Sequence, residues 1–122
     1  MTLQANFLPV GSVVEYNGKP RVITANDIHN CQADNNWFNN HYRPIPLTPK
    51  ILTEWCGFEN DGYNAGVPFY FTKGGIKINY HDNRFHYDNP NETVGNRLFI
   101  DYLHELQLLF LGMKQVLTVT IK

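Results

Sequence analysis

The sequence predicts an α+β fold, and three observations carry that prediction. The segment Asn96 to Met113, NRLFIDYLHELQLLFLGM, places Phe99, Tyr102, Leu103, Leu106, Leu109, Phe110 and Met113 at steps of three and four, the spacing of one helical face. Two groups of short β-rich runs, one before Asp34 and one between Val67 and Tyr87, are broken by pairs such as Asn17-Gly18 and Gly74-Gly75 that favour tight turns. A chain of 122 residues is long enough to bury most of its apolar side chains in one domain. The expected organisation is a single domain with an N-terminal β-meander lobe over 1–47 and an α-β-β-β-α-β lobe over 48–122.

Each element has its own warrant. Val13, Val14 and Tyr16 precede Asn17-Gly18, and Val22 and Ile23 follow, so two antiparallel strands joined by a type I′ turn are expected. A third strand is expected from Ile28 to Gln32, giving a meander that curls toward a small barrel-like sheet. The asparagine-rich ADNNWFNNHYRP reads as a loop or irregular strand, because Asn and Asp side chains bond their own backbone. Pro44 to Leu47 forms an extended connector, since each proline pushes its predecessor out of the helical region. Thr48 can then cap a two-turn helix that Pro49 opens, Ile51, Leu52 and Trp55 stripe, and Gly57 ends, with Phe58 folding back.

Val67 to Phe71, Ile76 to Tyr80 and Arg84 to Tyr87 predict a second antiparallel meander. Asn89 to Glu92 is expected as a loop leading to the long helix. Asp101, His104 and Glu105 lie off the apolar stripe and read as the helix's wet side, while Val116 to Ile121 alternates threonine with aliphatic residues and predicts a last strand in the sheet the helix covers.

Composition narrows the function. A net charge of -1 weighs against a general grip on nucleic acid, which draws on a basic face. The opening MTLQANFLPVGSVVEY has neither the basic nor the apolar region of a signal peptide, and no eighteen consecutive apolar residues occur, so a cytoplasmic protein is expected. Cys31 and Cys56, far apart and without a second pair, fit neither a zinc site nor a CxxC motif and read as buried thiols.

Two segments, PIPLTPKILTEWCGF from Pro44 to Phe58 and DYLHELQLLF from Asp101 to Phe110, resemble small phage- and prophage-type proteins of gut bacteria. In those proteins a short N-terminal β-meander leads through a PIPLT segment into a helix ending in GF, and a YxHxLQ helix follows near the end. The order of parts agrees along nearly the whole chain. The resemblance implies a bacterial host cell and an accessory role; it carries over no biochemical activity. Leu108, where a polar residue is expected, and the stretch Asn35 to Asn40 depart from the pattern.

Three clusters carry polar chemistry. His81, Asp82 and His86 have metal-ligand side chains, but the HDNRFH spacing holds no known ligand register and reads as turn and surface. Asp101, His104 and Glu105 are helical neighbours without a nucleophile, so neither a catalytic residue nor a cofactor is assigned. The segment Asn36 to Arg43 combines rings that stack on a base, amides that read its edge and a cation that holds a phosphate. Trp37, Tyr42 and Arg43, with Asn36, Asn39 and His41, are therefore the candidate ligand site, with Arg84 and His86 the expected additions from the second meander. The alternative, which the usual burial of tryptophan favours, is that Trp37 and Phe38 plug a gap between meander and helix.

The resulting reading is a non-catalytic binding protein that sequesters a small nucleotide-like signal or binds a host protein. A virion or other structural component is the competing class, and an enzyme the third. Ile100, Leu108 and Leu111 fall beside or opposite the main stripe, which predicts a homo-oligomer unless the loop Asn89 to Gly95 covers Leu108 and Leu111.

Overall fold

The computed structural model describes residues 2–64, 66–88 and 97–122. The fold is α+β, with helices and two open antiparallel sheets of three and five strands. The chain forms two compact units, one of Met1–Pro46 with Tyr102–Leu117 and one of Leu47–Asp101 with Thr118–Lys122.

In the first unit, β1 (Val13–Tyr16) and β2 (Lys19–Val22) form the expected hairpin. Asn17 and Gly18 both take positive φ, 47° and 85°, as a type I′ turn requires. No third strand follows directly. Ile28 to Gln32 lies instead inside a helix, α1 (Ala25–Ala33). The reason is at its start: Thr24 accepts from the Asp27 amide and Asp27 accepts from the Thr24 amide, a capping box that satisfies two helix-end donors at once.

The asparagine-rich stretch is also helical, α2 (Asn35–His41), against the expectation of a loop. Asp34 accepts from the Trp37 amide and opens it. Asn35 and Asn39, one turn apart, both donate to the Leu3 carbonyl, and Asn39 accepts from the Leu3 amide at 2.7 Å. These long-range partners offset the poor helix propensity of asparagine. The chain then returns as β3 (Tyr42–Arg43), pairing with β1 to give the order β2-β1-β3, an open sheet rather than a barrel. Leu3, Leu8, Val14, Ile23, Cys31, Phe38 and Tyr42 make the core beneath it.

The long helix is shorter than its periodicity suggests. It is α3 (Leu103–Gly112), and the first part of the predicted segment is instead a strand in the other unit. Pro46 bridges to Tyr102, and the Leu103 amide donates to Ile45 O, so the chain is held extended at Tyr102, inside the segment expected to be helical. Leu103, Leu106 and Phe110 are buried as the stripe predicts. His104, expected on the wet side, is only 2% exposed, and burial pushes its pKa down to about 4, so the ring is neutral at pH 7. Buried Gln107 accepts from the Val13 amide and donates to Gly11 O, fastening α3 to the first strand.

In the second unit, Thr48 accepts from the Ile51 amide and starts a helical segment, Ile51–Trp55, widened to i→i+5 bonding where Cys56 N–H reaches Ile51 O. Gly57 takes the left-handed conformation and the amide of buried Phe58 donates back to Leu52 O, the expected ending. Five strands follow in sequence order, where three were expected: β4 (Glu59–Asn64), β5 (Val67–Lys73), β6 (Ile76–His81), β7 (Arg84–Asp88) and β8 (Arg97–Ile100).

β4 was hidden by its composition, since Asn, Asp and Gly are poor strand formers. It pairs because Gly62 leaves room for the Tyr70 ring, whose Cε1 would lie 2.2 Å from any added Cβ. Val116 to Ile121 joins neither sheet; in this segment the Thr120 amide donates to Trp55 O. β-branched alternation gives a strand only where a free edge accepts the ladder. The expected loop Asn89 to Glu92, the Asn89–Gly95 cover and the helix start at Asn96 lie outside the described residues.

Candidate functional site

In the first unit one predicted site residue, Tyr42, meets a buried carboxylate, Asp27. Asp27 is 1% exposed and accepts from the Tyr42 hydroxyl at 2.8 Å, from Arg21 through both oxygens at 3.2 and 2.9 Å, and from the Thr24 amide and hydroxyl. Burial by itself raises the pKa of such a group, but the bonds from Arg21, Thr24 and Tyr42 outweigh it and hold Asp27 down at about 2. Tyr42 shows the counterpart: burial and the neighbouring carboxylate push its hydroxyl up to about 12.

Above this network lies a run of rings. Tyr42 is buried, stacked parallel on Phe38 at 3.8 Å and packed under Tyr16 at 4.7 Å. Its place is therefore beneath the surface, orienting Tyr16. Trp37 is 42% exposed and lies 4.6 Å from the His41 ring, and His41 in turn adjoins Tyr16. His41 Nδ1 lies 3.3 Å from Asn17 Oδ1, which ties the end of α2 to the β1–β2 turn.

An open concavity of about 420 Å³ adjoins these rings, lined by Tyr16, Asn17, Lys19, Pro20 and Arg21. The Arg21 guanidinium sits 5.5 Å over the Tyr16 ring while Asp27 holds its fork from behind. Lys19, exposed and opposite Tyr16 in the hairpin register, adds a second cation. The surface thus offers a ring face, an amide and two cations side by side, an arrangement that suits an aromatic anion.

The other predicted residues divide. Arg43 is exposed on β3, opposite Glu15 in register, and Asn36 is exposed on α2. Asn39 is committed to Leu3 and holds the N-terminal segment. Arg84 and His86 belong to the second unit. Arg84 forms a two-pronged ion pair with Asp101 and lies 3.9 Å over the Phe99 ring, and His86 is buried with its pKa lowered by that burial, against the pull of Asp88. His81 pairs with Asp82 at 3.3 Å, and among the described residues no group of three or more His, Cys, Asp or Glu is placed to hold a metal ion.

Sequence reasoning missed Tyr16, Asn17, Lys19, Arg21 and Asp27. The detectable signal was the Thr24-Ala25-Asn26-Asp27 box, which marks a helix start directly after a hairpin. Compared with family models, with curated proteins and with solved structures, the chain matches none. Among the described residues no helix is long and apolar enough to cross a membrane.

Proposed function

We propose that this chain is a non-catalytic binding protein that takes up a small nucleotide-like anion on the surface running from Trp37 and His41 to Tyr16, Lys19 and Arg21. The observation that carries the reading is the tilted ring pair of exposed Trp37 and half-buried His41, which adjoins Tyr16 and its concavity with two cations at the edge. Rings supply stacking, the cations hold phosphate, and the buried Asp27 keeps Arg21 in place without covering its outer face. The resemblance of the PIPLT and YxHxLQ segments supports a phage-type accessory role in the cytoplasm of a bacterial host, where such a protein sequesters a signal.

Calorimetric titration with a panel of mono- and dinucleotides tests this. Stacking on an aromatic ring is worth roughly 1 to 3 kcal/mol, so Trp37→Ala is expected to weaken binding by about one order of magnitude or more. Because Trp37 is half exposed, its melting temperature should change little. A lower melting temperature with unchanged affinity would return Trp37 to a packing role.

The same reading includes a homo-oligomer. Ile100 is buried and Leu108 half-buried, so Leu111 alone of the three residues behind that expectation is exposed. It adjoins a cleft of about 120 Å³ together with the exposed Val10 and Val116. A second copy covering this apolar patch is expected to appear as a dimer in sedimentation at micromolar concentration, and Leu111→Glu to return it to monomer. A wild-type monomer throughout that range would remove the oligomer from the reading.

A further inference from the structure

The ring-and-cation surface carries less positive charge than its two cations suggest. Cross-strand partners share a face of a sheet, so the register sets Tyr42, Tyr16 and Lys19 in one row with Arg21 beside it, and turns Glu15 and Arg43 to the opposite face. Arg21 is compensated. Asp27 accepts from its Nε and its Nη2, and the bonds that carboxylate receives keep it ionised at pH 7. The Tyr42 hydroxyl, pushed up to about 12, keeps its proton. Lys19 is exposed and forms no ion pair among the described residues. With His41 counted as uncharged, the positive charge left over is that of Lys19, and Asp34, which caps α2 at the Trp37 end, adds a negative one.

The open part of the Arg21 fork has a definite shape. A guanidinium is planar with five N–H donors, and Asp27 takes the side edge formed by Nε and Nη2. The end edge remains, formed by Nη1 and the second hydrogen of Nη2, and the half-exposed Arg21 side chain lines the concavity. Two parallel donors on one edge fit two oxygens on one phosphorus. A phosphodiester offers two non-bridging oxygens and one negative charge, whereas a terminal phosphate has three such oxygens and about -1.5 to -2 charges at pH 7.

We propose that the nucleotide taken up on this surface is a phosphodiester, whose single charge matches Lys19 and whose two non-bridging oxygens meet the end edge of Arg21, and that a nucleotide with a terminal phosphate binds more weakly. The inference rests on the nucleotide-binding reading and narrows it. Asp27 sets the preference, because it fixes the orientation of Arg21 and at the same time cancels its charge. The second charge of a terminal phosphate therefore finds no uncompensated cation and is repelled by the carboxylate behind Arg21.

The test is calorimetric titration of the whole chain with matched adenosine and guanosine ligands: the 5′-monophosphate, its 5′-methyl ester and the 3′,5′-cyclic monophosphate. Stacking tolerates any base, so the two purines suffice. At about pH 8 the monophosphates are dianions, and both kinds of diester are expected to bind at least about fivefold more tightly, the effect of one unmatched unit charge in a largely aqueous setting. Near pH 5 the monophosphates take up a proton while Asp27, held at about 2, stays ionised, so the methyl ester's advantage should fall to about twofold or less. Any charge gained by His41 acts on both ligands alike and drops out of that comparison. Asp27→Asn, which leaves Arg21 uncompensated, should remove the advantage at pH 8 as well. Monophosphates that bind as tightly as their methyl esters at pH 8 overturn the inference and leave the nucleotide reading standing. An advantage that persists at pH 5 overturns it too, since the methyl group and not the charge would then be recognised. No binding by any of these ligands removes the inference together with the nucleotide reading. The pH comparison decides even if Asp27→Asn does not fold.

Discussion

Leu106→Ala is expected to destabilise the protein by about 2 to 5 kcal/mol, the range for removing a fully buried leucine and leaving its cavity behind. Leu106 has no exposed surface, and it sits between the buried Leu103 and Phe110 on a helix whose position the two Gln107 bonds fix. A helix so fastened cannot slide to refill the space, which argues for the upper half of the range. The control is its neighbour. Glu105 accepts the Tyr102 amide at the helix start, so Glu105→Ala should cost about 1 kcal/mol through the lost cap. Urea denaturation of the three proteins measures both, and equal losses at the two positions would contradict the packing assigned to α3.

That contrast also shows what could be read from the residues alone. The 3.6-residue period identified Leu103, Leu106 and Phe110 as buried, because burial of a stripe is a local consequence of helix geometry. Asn17-Gly18 and Gly57 were equally legible, since each needs a backbone conformation that few other residues tolerate. The errors have a common cause. α2 looked like a loop because its asparagines are poor helix formers in isolation, and only the distant Leu3 backbone supplies the partners that reverse the preference. Arg97 to Ile100 looked like the first turn of a helix because its apolar residues fit either period over so short a span; pairing with β7 decided it.

The site was legible in part for the same reason. Trp37 and His41 entered the candidate site from the sequence because their side chains advertise stacking. The half of the surface contributed by the hairpin was not, because Tyr16 comes beside His41 only once β3 pairs with β1, and Lys19 and Arg21 join it through the β1–β2 pairing. Asp27 was the harder case, being an ordinary surface residue by type that the fold buries and surrounds with four donor groups.

Asp27→Asn is therefore expected to lower stability at pH 7 by about 2 to 3 kcal/mol. Removing one partner of a buried ion pair costs about 3 to 5 kcal/mol, and the half-exposed Arg21, which water can resolvate, brings the figure down. The pH dependence has a definite sign. The folded carboxyl titrates near 2 against an ordinary value of 3.8, so between those values the unfolded chain binds the extra proton. The stabilisation is therefore fully present above about pH 4 and is lost as the pH falls through 3.8 toward 2. A separation of that size corresponds to about 2.5 kcal/mol, in agreement with the mutational figure. Wild type and Asp27→Asn should accordingly unfold with a constant difference from pH 7 to about 4 and with converging free energies below it. Denaturation curves across that range decide the matter. A difference that persists undiminished at pH 2 would mean that the asparagine disturbs packing, and that the carboxylate does not hold Arg21, Thr24 and Tyr42 together through its charge.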